Sequence, residues 1–118
     1  MYGLERGVNL AFFTGKILLQ ICIGCHDLIL NFDGDVSVTV TSGLACVEPD
    51  RAMQRYDDFC EAAPKVLEFL NQAVLFVEGD EAGTLTLKFD GGGTLSIYDD
   101  SKEYESYTIK NGSQLIVV

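Results

Sequence analysis

The chain has 118 residues, 47% of them hydrophobic, and a formal net charge of −10. This length fits a single domain over residues 1–118 that can bury a core of its own. Because contacts to phosphates need clustered Lys and Arg, the 18 acidic against 8 basic residues argue against a nucleic-acid-binding protein. The same charge argues against attraction to an anionic membrane surface.

The most apolar stretch of the chain, Val8 to Cys25, is a poor membrane segment. Lys16 and Gln20 interrupt it, and it falls short of the ~20 apolar residues that a spanning helix needs. Lys16 also lies where the apolar centre of a signal peptide would be. We therefore expect a cytoplasmic protein whose four cysteines remain reduced.

Alternation of apolar and polar residues predicts three strands in the first 41 residues. Ile17 to Ile23 and Leu28 to Phe32 each place apolar side chains at every second position. Asp33-Gly34-Asp35 then supplies turn chemistry, and Val36 to Thr41 alternates Val with Ser and Thr. The last two strands and their turn predict a β-hairpin.

The middle of the chain has helical spacing instead. Apolar residues at steps of three and four predict an amphipathic helix of about three turns, with Asp50 as its N-cap. Pro64 suits the first turn of a second helical piece that ends near residue 72. The spaced apolar residues of the first helix are Met53, Tyr56, Cys60 and Ala63.

Strand periodicity returns after residue 73. Asp90 to Gly93 provide a turn, and Asn111-Gly112 is a dipeptide that type I′ hairpins favour. The predicted strands of this part are 74–77, 85–89, 95–98, 104–109 and 114–118.

Two of the predicted hairpins share a pattern, because Leu28–Gly34 and Leu85–Gly91 align residue by residue and both end in Phe-Asp-Gly. A duplicated β-β-β unit around the central helices explains this, and so does convergence of apolar hairpins on an Asp-Gly turn. In either case the sequence predicts an α+β fold. We expect a curved, mostly antiparallel sheet or half-barrel of seven or eight strands, with one or two central helices packed on it.

Cys22-Ile-Gly-Cys25-His26 has the C-x-x-C-H spacing of c-type haem attachment, which requires export. The same thiols could form a redox pair or half of a zinc site. However, the pair follows a strand rather than starting a helix, and Cys46 and Cys60 are isolated. Strand cysteines mostly act as small buried hydrophobes. We therefore predict that Cys22 and Cys25 are neither bridged nor metal-bound, and that the protein uses no cofactor.

The sequence offers no catalytic motif. His26 is the single histidine, so any Ser-His-Asp or Cys-His site would have to include it. A nucleophile elbow, a P-loop and a dinucleotide-binding glycine motif are all absent from the sequence. The sequence therefore predicts a protein that is not an enzyme.

Residues 98–107 combine acidic and aromatic side chains. One interpretation is a turn and a solvated strand face. The other is a surface for a basic protein, since Tyr provides contact area at low entropic cost and carboxylates steer the encounter. Tyr107 shares a strand face with Ile109 and is expected in the core. The candidate partner-binding residues are Tyr98, Asp99, Asp100, Glu103, Tyr104 and Glu105.

The C-terminal half of the chain resembles small, largely uncharacterised bacterial proteins. The matching runs are Gly83 to Gly91, Leu95 to Ser101 and Tyr104 to Ile109. Together they follow the pattern L-x-F-x-x-G-x-x-L-x-I-x-D-D-S-x-x-Y-E-S-Y-x-I. Similar proteins are often found near polymorphic toxin genes, where immunity proteins are common, so the resemblance implies an immunity-like role.

Three functional hypotheses follow. The first is a non-catalytic protein-binding module that neutralises a basic partner, such as a toxin domain, through its acidic face. The second is a small redox or metal protein that uses Cys22, Cys25 and His26, and the third is a self-associating structural subunit. Because an antiparallel sheet has edges to cover, we expect a homodimer or a complex with a partner, with residues 98–107 at or near the contact.

Overall fold

A computed structural model of the protein describes residues 4, 7–49, 51–101 and 105–118. Within these residues the chain forms ten β-strands and one short α-helix. Single 3₁₀ turns lie at Ala11–Phe13 and Leu67–Phe69. The elements are β1 Leu18–Ile23, β2 Leu28–Phe32, β3 Val36–Val40, β4 Leu44–Val47, β5 Gln54–Tyr56, α1 Phe59–Val66, β6 Val74–Gly79, β7 Leu85–Phe89, β8 Thr94–Ile97, β9 Tyr107–Asn111 and β10 Gln114–Val117.

The strands form two sheets of five strands each. One sheet has the order β1-β2-β3-β9-β10 and the other the order β5-β4-β8-β7-β6. All neighbouring strands are antiparallel. The predicted antiparallel α+β architecture is confirmed. The prediction of one sheet or half-barrel with seven or eight strands is wrong, because ten strands divide between two sheets that do not close.

The largest local error concerns the predicted helix at residues 50–63, whose predicted N-cap, Asp50, lies outside the described residues. Residues 54–56 form β5, where Arg55 pairs with Ala45 of β4, and α1 starts only at Phe59. Its N-cap is Asp58, whose Oδ1 accepts a hydrogen bond from Cys60 N at 2.8 Å. Pro64 lies inside α1 instead of starting a second helix, and it removes one hydrogen bond from an already short helix.

The buried faces of both sheets meet in one hydrophobic core. β2 and β3 bury every second residue, and β7 does the same, as the alternation predicts. The rings of Phe32 and Phe89 stack with 6.5 Å between their centroids, one from each sheet. The two hairpins that share a sequence pattern therefore meet in the hydrophobic core.

The chain contains the same strand arrangement twice. β1-β2-β3 form a meander followed by the hairpin β4-β5, and β6-β7-β8 form a second meander followed by the hairpin β9-β10. The hairpins are exchanged: β9 pairs with β3 of the first meander, and β4 pairs with β8 of the second. The similarity noted in the sequence thus extends to a β-β-β unit in each half of the chain.

Matching hydrogen bonds join the two halves where β1 and β6 begin. Leu18 N donates to Gln72 O at 3.0 Å, and Val74 N donates to Lys16 O at 2.9 Å. Between them lies a bridge that pairs Ile17 with Ala73. β1 and β6 then carry a bulge at the same position. Equivalent residues of the two halves are thus related by an approximate two-fold axis through this bridge.

Two aspartates occupy equivalent positions on either side of this axis. Asp33 Oδ1 accepts a hydrogen bond from Ile17 N at 2.7 Å, and Asp90 Oδ1 accepts one from Ala73 N at 3.3 Å. We expect Asp33→Ala to lower the free energy of unfolding by about 1 kcal/mol, because it leaves a half-buried N–H without its acceptor. Asp90→Ala should cost less, since its bond is longer and exposed. Urea unfolding of both variants tests this order, and a larger loss for Asp90→Ala would contradict it.

Candidate functional site

The predicted partner-binding residues lie around the ends of β8 and β9. Tyr98, Asp99 and Asp100 follow β8, and Glu105 precedes β9. Glu103 and Tyr104 lie outside the described residues. The structure therefore shows four of the six candidates, and these four have different environments.

Asp99 points into the protein and is only 6% exposed. Its Oδ1 accepts a hydrogen bond from Ser106 Oγ at 2.7 Å, and Ser106 Oγ in turn accepts one from Ser101 N at 3.0 Å. The expectation that the charge of Asp99 is displayed on the surface is wrong, because this carboxylate anchors the segment between β8 and β9.

Tyr98 and Asp100 already hold a basic side chain of the same chain. The guanidinium of Arg55 lies 4.4 Å from the centre of the Tyr98 ring and forms an ion pair with Asp100. Arg55 Nε also lies 3.3 Å from Asp57 Oδ1. The two carboxylates raise the pKa of Arg55, with the Asp100 hydrogen bond as the largest cause. We call these four residues the Arg55 cluster.

Gly43 makes room for this cluster. A Cβ atom at Gly43 would lie 2.7 Å from an Arg55 nitrogen and 2.9 Å from Asp57 Oδ1. Any larger residue at position 43 would therefore displace the guanidinium.

Tyr107 lies in the core, as predicted, with no exposed surface. Its hydroxyl donates a hydrogen bond to Gly83 O at 2.6 Å, which ties β9 of one sheet to the loop before β7 of the other. Burial is the largest cause of the raised pKa of Tyr107, followed by the nearby Asp99 carboxylate. Tyr107 is therefore a structural residue and not an interface anchor.

Glu105, the remaining candidate, lines an open cleft of about 640 Å³. Thr41 Oγ1 fixes this part of the chain by donating to Glu105 O at 2.6 Å. The cleft brings together four segments of the chain: the β1–β2 turn, the end of β3, the start of α1 and the start of β9. Its lining residues are Cys25, His26, Thr41, Asp57, Phe59, Glu105 and Thr108.

The described lining of the cleft is acidic and about equally polar and apolar. Asp57 and Glu105 supply carboxylates, Thr41 and Thr108 supply hydroxyls, and none of the lining residues that the structure describes is Lys or Arg. Asp57 also belongs to the Arg55 cluster, so the cleft and the cluster form one continuous surface. This surface suits cationic side chains, which combine charge with several hydrogen-bond donors.

The cysteines occupy separate environments. Cys22 lies on the exposed face of β1, where Asn31 Nδ2 approaches its sulfur at 3.8 Å, and Cys25 is exposed in the β1–β2 turn. The described residues contain no group of three or more His, Cys, Asp or Glu side chains placed to hold a metal ion. The expectation of buried strand cysteines fits Cys46 alone. Burial, with the Glu68 and Glu48 carboxylates, raises the pKa of the Cys46 thiol to about 12.

Sequence reasoning missed Thr41, Arg55, Asp57 and Phe59 as parts of this surface. Arg55 is 45 residues from Asp100, and Thr41 is 64 residues from Glu105. Only the exchanged hairpins bring these residues together, so no local pattern signals the contacts.

A family model matches residues 13–118 of the chain, and its description is a family of unknown function, DUF6188. The chain belongs to DUF6188. No curated protein and no solved structure matches it. In the described part of the DUF6188 chain, no helix is long and apolar enough to cross a membrane. The family establishes neither an activity nor a partner, so the site must be interpreted from its own chemistry.

The thiols provide a direct test of the predicted cysteine states. At pH 8 we expect three thiols to react rapidly with a thiol reagent, because Cys22, Cys25 and Cys60 are exposed. Cys46 should react only after unfolding, since the thiolate is the reactive form and a pKa of about 12 leaves little of it. A bridge or a metal at Cys22 and Cys25 would leave one rapid thiol, and elemental analysis would identify a metal.

The different roles of Asp99 and Asp100 predict different stability effects. Asp99→Ala should lower the free energy of unfolding by about 1–3 kcal/mol, because it leaves the buried Ser106 hydroxyl without its acceptor. Asp100→Ala should cost less than about 1 kcal/mol, because its ion pair with Arg55 is exposed. Thermal and urea unfolding measure both, and equal effects would contradict the assignment.

Proposed function

We propose that this protein is a non-catalytic, immunity-like binding module that neutralises a basic partner, such as a toxin domain. The observation that carries the proposal is the acidic cleft beside the Arg55 cluster. Two carboxylates, an aromatic ring and hydroxyls line it, with Glu105 as the carboxylate that Arg55 does not pair with, and its described lining residues include neither Lys nor Arg. A basic side chain of the partner enters this cleft, with Glu105 as its main ion-pair partner.

The Arg55 cluster supports the proposal because, within this chain, an aromatic ring and carboxylates already bind a basic side chain. A guanidinium there stacks on Tyr98 and pairs with Asp100. Tyr98 and Asp100 therefore bind Arg55, which pairs with Asp57 beside the cleft. In this proposal they do not contact the partner's basic side chain directly. Glu103 and Tyr104, which lie outside the described residues, remain predicted contacts.

The net charge of −10 supplies long-range attraction to a basic partner. Such a field raises association rates, and salt screens it within ~8 Å at physiological ionic strength. In this proposal the net charge accelerates association with the partner, and the cleft determines which partner binds.

The alternative of a redox or metal protein has weaker support. Cys25 and His26 line the cleft, but Cys22, the other member of the C-x-x-C motif, does not. The cytoplasmic location, in which the thiols stay reduced, is part of the proposal.

The test begins with co-purification of the tagged full chain from its native host, which should recover a basic protein. Binding kinetics are then measured for Glu105→Lys and for the matched control Glu78→Lys. Both replace an exposed glutamate and change the net charge equally, but Glu78 lies on β6, outside the cleft. Glu105→Lys should weaken binding at least about tenfold, and Glu78→Lys less than about threefold.

The salt dependence checks the same proposal independently. Association should slow by roughly tenfold between low and physiological salt, whereas dissociation should change less. Recovery of no basic protein, or equal effects of the two substitutions, would refute the proposal.

A further inference from the structure

The two sheets end in four edge strands, β1 and β10 in one sheet and β5 and β6 in the other. An edge strand presents unpaired backbone N–H and C=O groups that can pair with another chain. Folded proteins usually block this pairing with bulges, charges, prolines or very short strands.

Three of the four edges carry such a block. β1 and β6 are each interrupted by a bulge near their start. β5 has only three residues and carries the charge of Arg55.

The fourth edge, β10, is four residues long and carries no bulge, charge or proline within its described residues. Gln114, Leu115, Ile116 and Val117 contain no charge and no proline, and they pair with β9 in four consecutive, regular pairs. In the repeated arrangement Val117 takes the position of Arg55, since Val117 pairs with Thr108 of β9 as Arg55 pairs with Ala45 of β4. An apolar residue thus replaces the charge that protects the equivalent edge.

The side chains of β10 form an apolar strip beside a polar face. Leu115 is 62% exposed and Val117 is 38% exposed. Their neighbours across β9 and β3 on the same face of the sheet are polar: Lys110, Ser37, Thr108 and Thr39.

The geometry points to self-association of this protein through β10, which pairs antiparallel with β10 of a second copy. The two five-stranded sheets then join into one sheet of ten strands around a two-fold axis. With Ile116 on this axis, Leu115 lies opposite Val117 of the second copy, and the same contact occurs twice. This register keeps the polar faces of both sheets on one side, because side chains alternate with a period of two.

A second copy fits this edge better than a basic partner does. β10 contains no carboxylate, and its neighbour on β9 across from Leu115 is Lys110. An uncharged strand can pair with itself without placing like charges opposite each other. Because each copy contributes only the four residues of β10, the contact is smaller than a standard interface of ~1,200–2,000 Å² and the dimer is weak.

Sedimentation equilibrium of the full chain tests the inference, with Leu115→Lys and the matched control Leu75→Lys. Both replace an exposed leucine on an edge strand, and Leu75 is 57% exposed at the bulge of β6. The original chain and Leu75→Lys should dimerise with similar affinity, whereas Leu115→Lys should weaken the dimer at least about tenfold. A monomer at about 1 mM, or a dimer unaffected by Leu115→Lys, overturns the inference.

Salt separates this interface from the acidic cleft. Because two copies of a −10 chain repel each other, added salt should strengthen the dimer, whereas it should weaken binding of a basic partner. Glu105→Lys should leave the dimer intact. A dimer that salt dissociates, or that Glu105→Lys abolishes, would assign self-association to the cleft and refute pairing through β10.

Discussion

The structure depends on one constraint, the exchange of hairpins between the two halves of the chain. Each three-stranded meander gains its fourth and fifth strands from the other half, so neither five-stranded sheet is complete without both halves. Tyr107 links the two sheets, since its hydroxyl donates to Gly83 O in the loop before β7. Because the two pairings that join the halves, β3 with β9 and β4 with β8, are distant in sequence, folding must close long loops before both sheets are complete, which favours slow and cooperative folding.

The same exchange builds the candidate site. Where the first meander meets its borrowed hairpin, Thr41 N donates to Ser106 O at 2.9 Å, which places Glu105 beside the β1–β2 turn. At the equivalent junction of the second meander, Tyr98 N donates to Gly43 O at 3.0 Å, and Arg55 of the borrowed hairpin lies over Tyr98. The acidic cleft and the Arg55 cluster therefore both arise at junctions between the halves.

Local patterns predicted the parts of the fold that local forces determine. Alternation located the strands of both meanders, and the Phe-Asp-Gly turns revealed their similarity. Residues 53–56 were predicted as helix because Met53 and Tyr56 have helical spacing. In the structure Tyr56 is instead buried as part of an edge strand paired with β4. Likewise, the sequence Asp99-Asp100 is typical of a solvated turn. The hydrogen bond from Ser106, which lies outside the turn pattern, identifies Asp99 as buried.

The candidate surfaces lie where the two halves differ, although their backbones are alike. Gly43 and Ser106 are equivalent by their hydrogen bonds to Tyr98 and Thr41. The missing side chain at Gly43 admits the guanidinium of Arg55, whereas the hydroxyl of Ser106 binds the buried Asp99.

The outer edges of the two sheets also differ between the halves. β5 carries Arg55, and β10 carries Val117 at the equivalent position. The charged edge takes part in an ion-pair cluster beside the cleft, and the uncharged edge remains open for strand pairing. Arg55 thus has two effects at once: it blocks one sheet edge and it organises the acidic surface. The proposed binding surface and the proposed dimer edge therefore lie at equivalent parts of two similar halves, and we expect them to respond to salt in opposite directions.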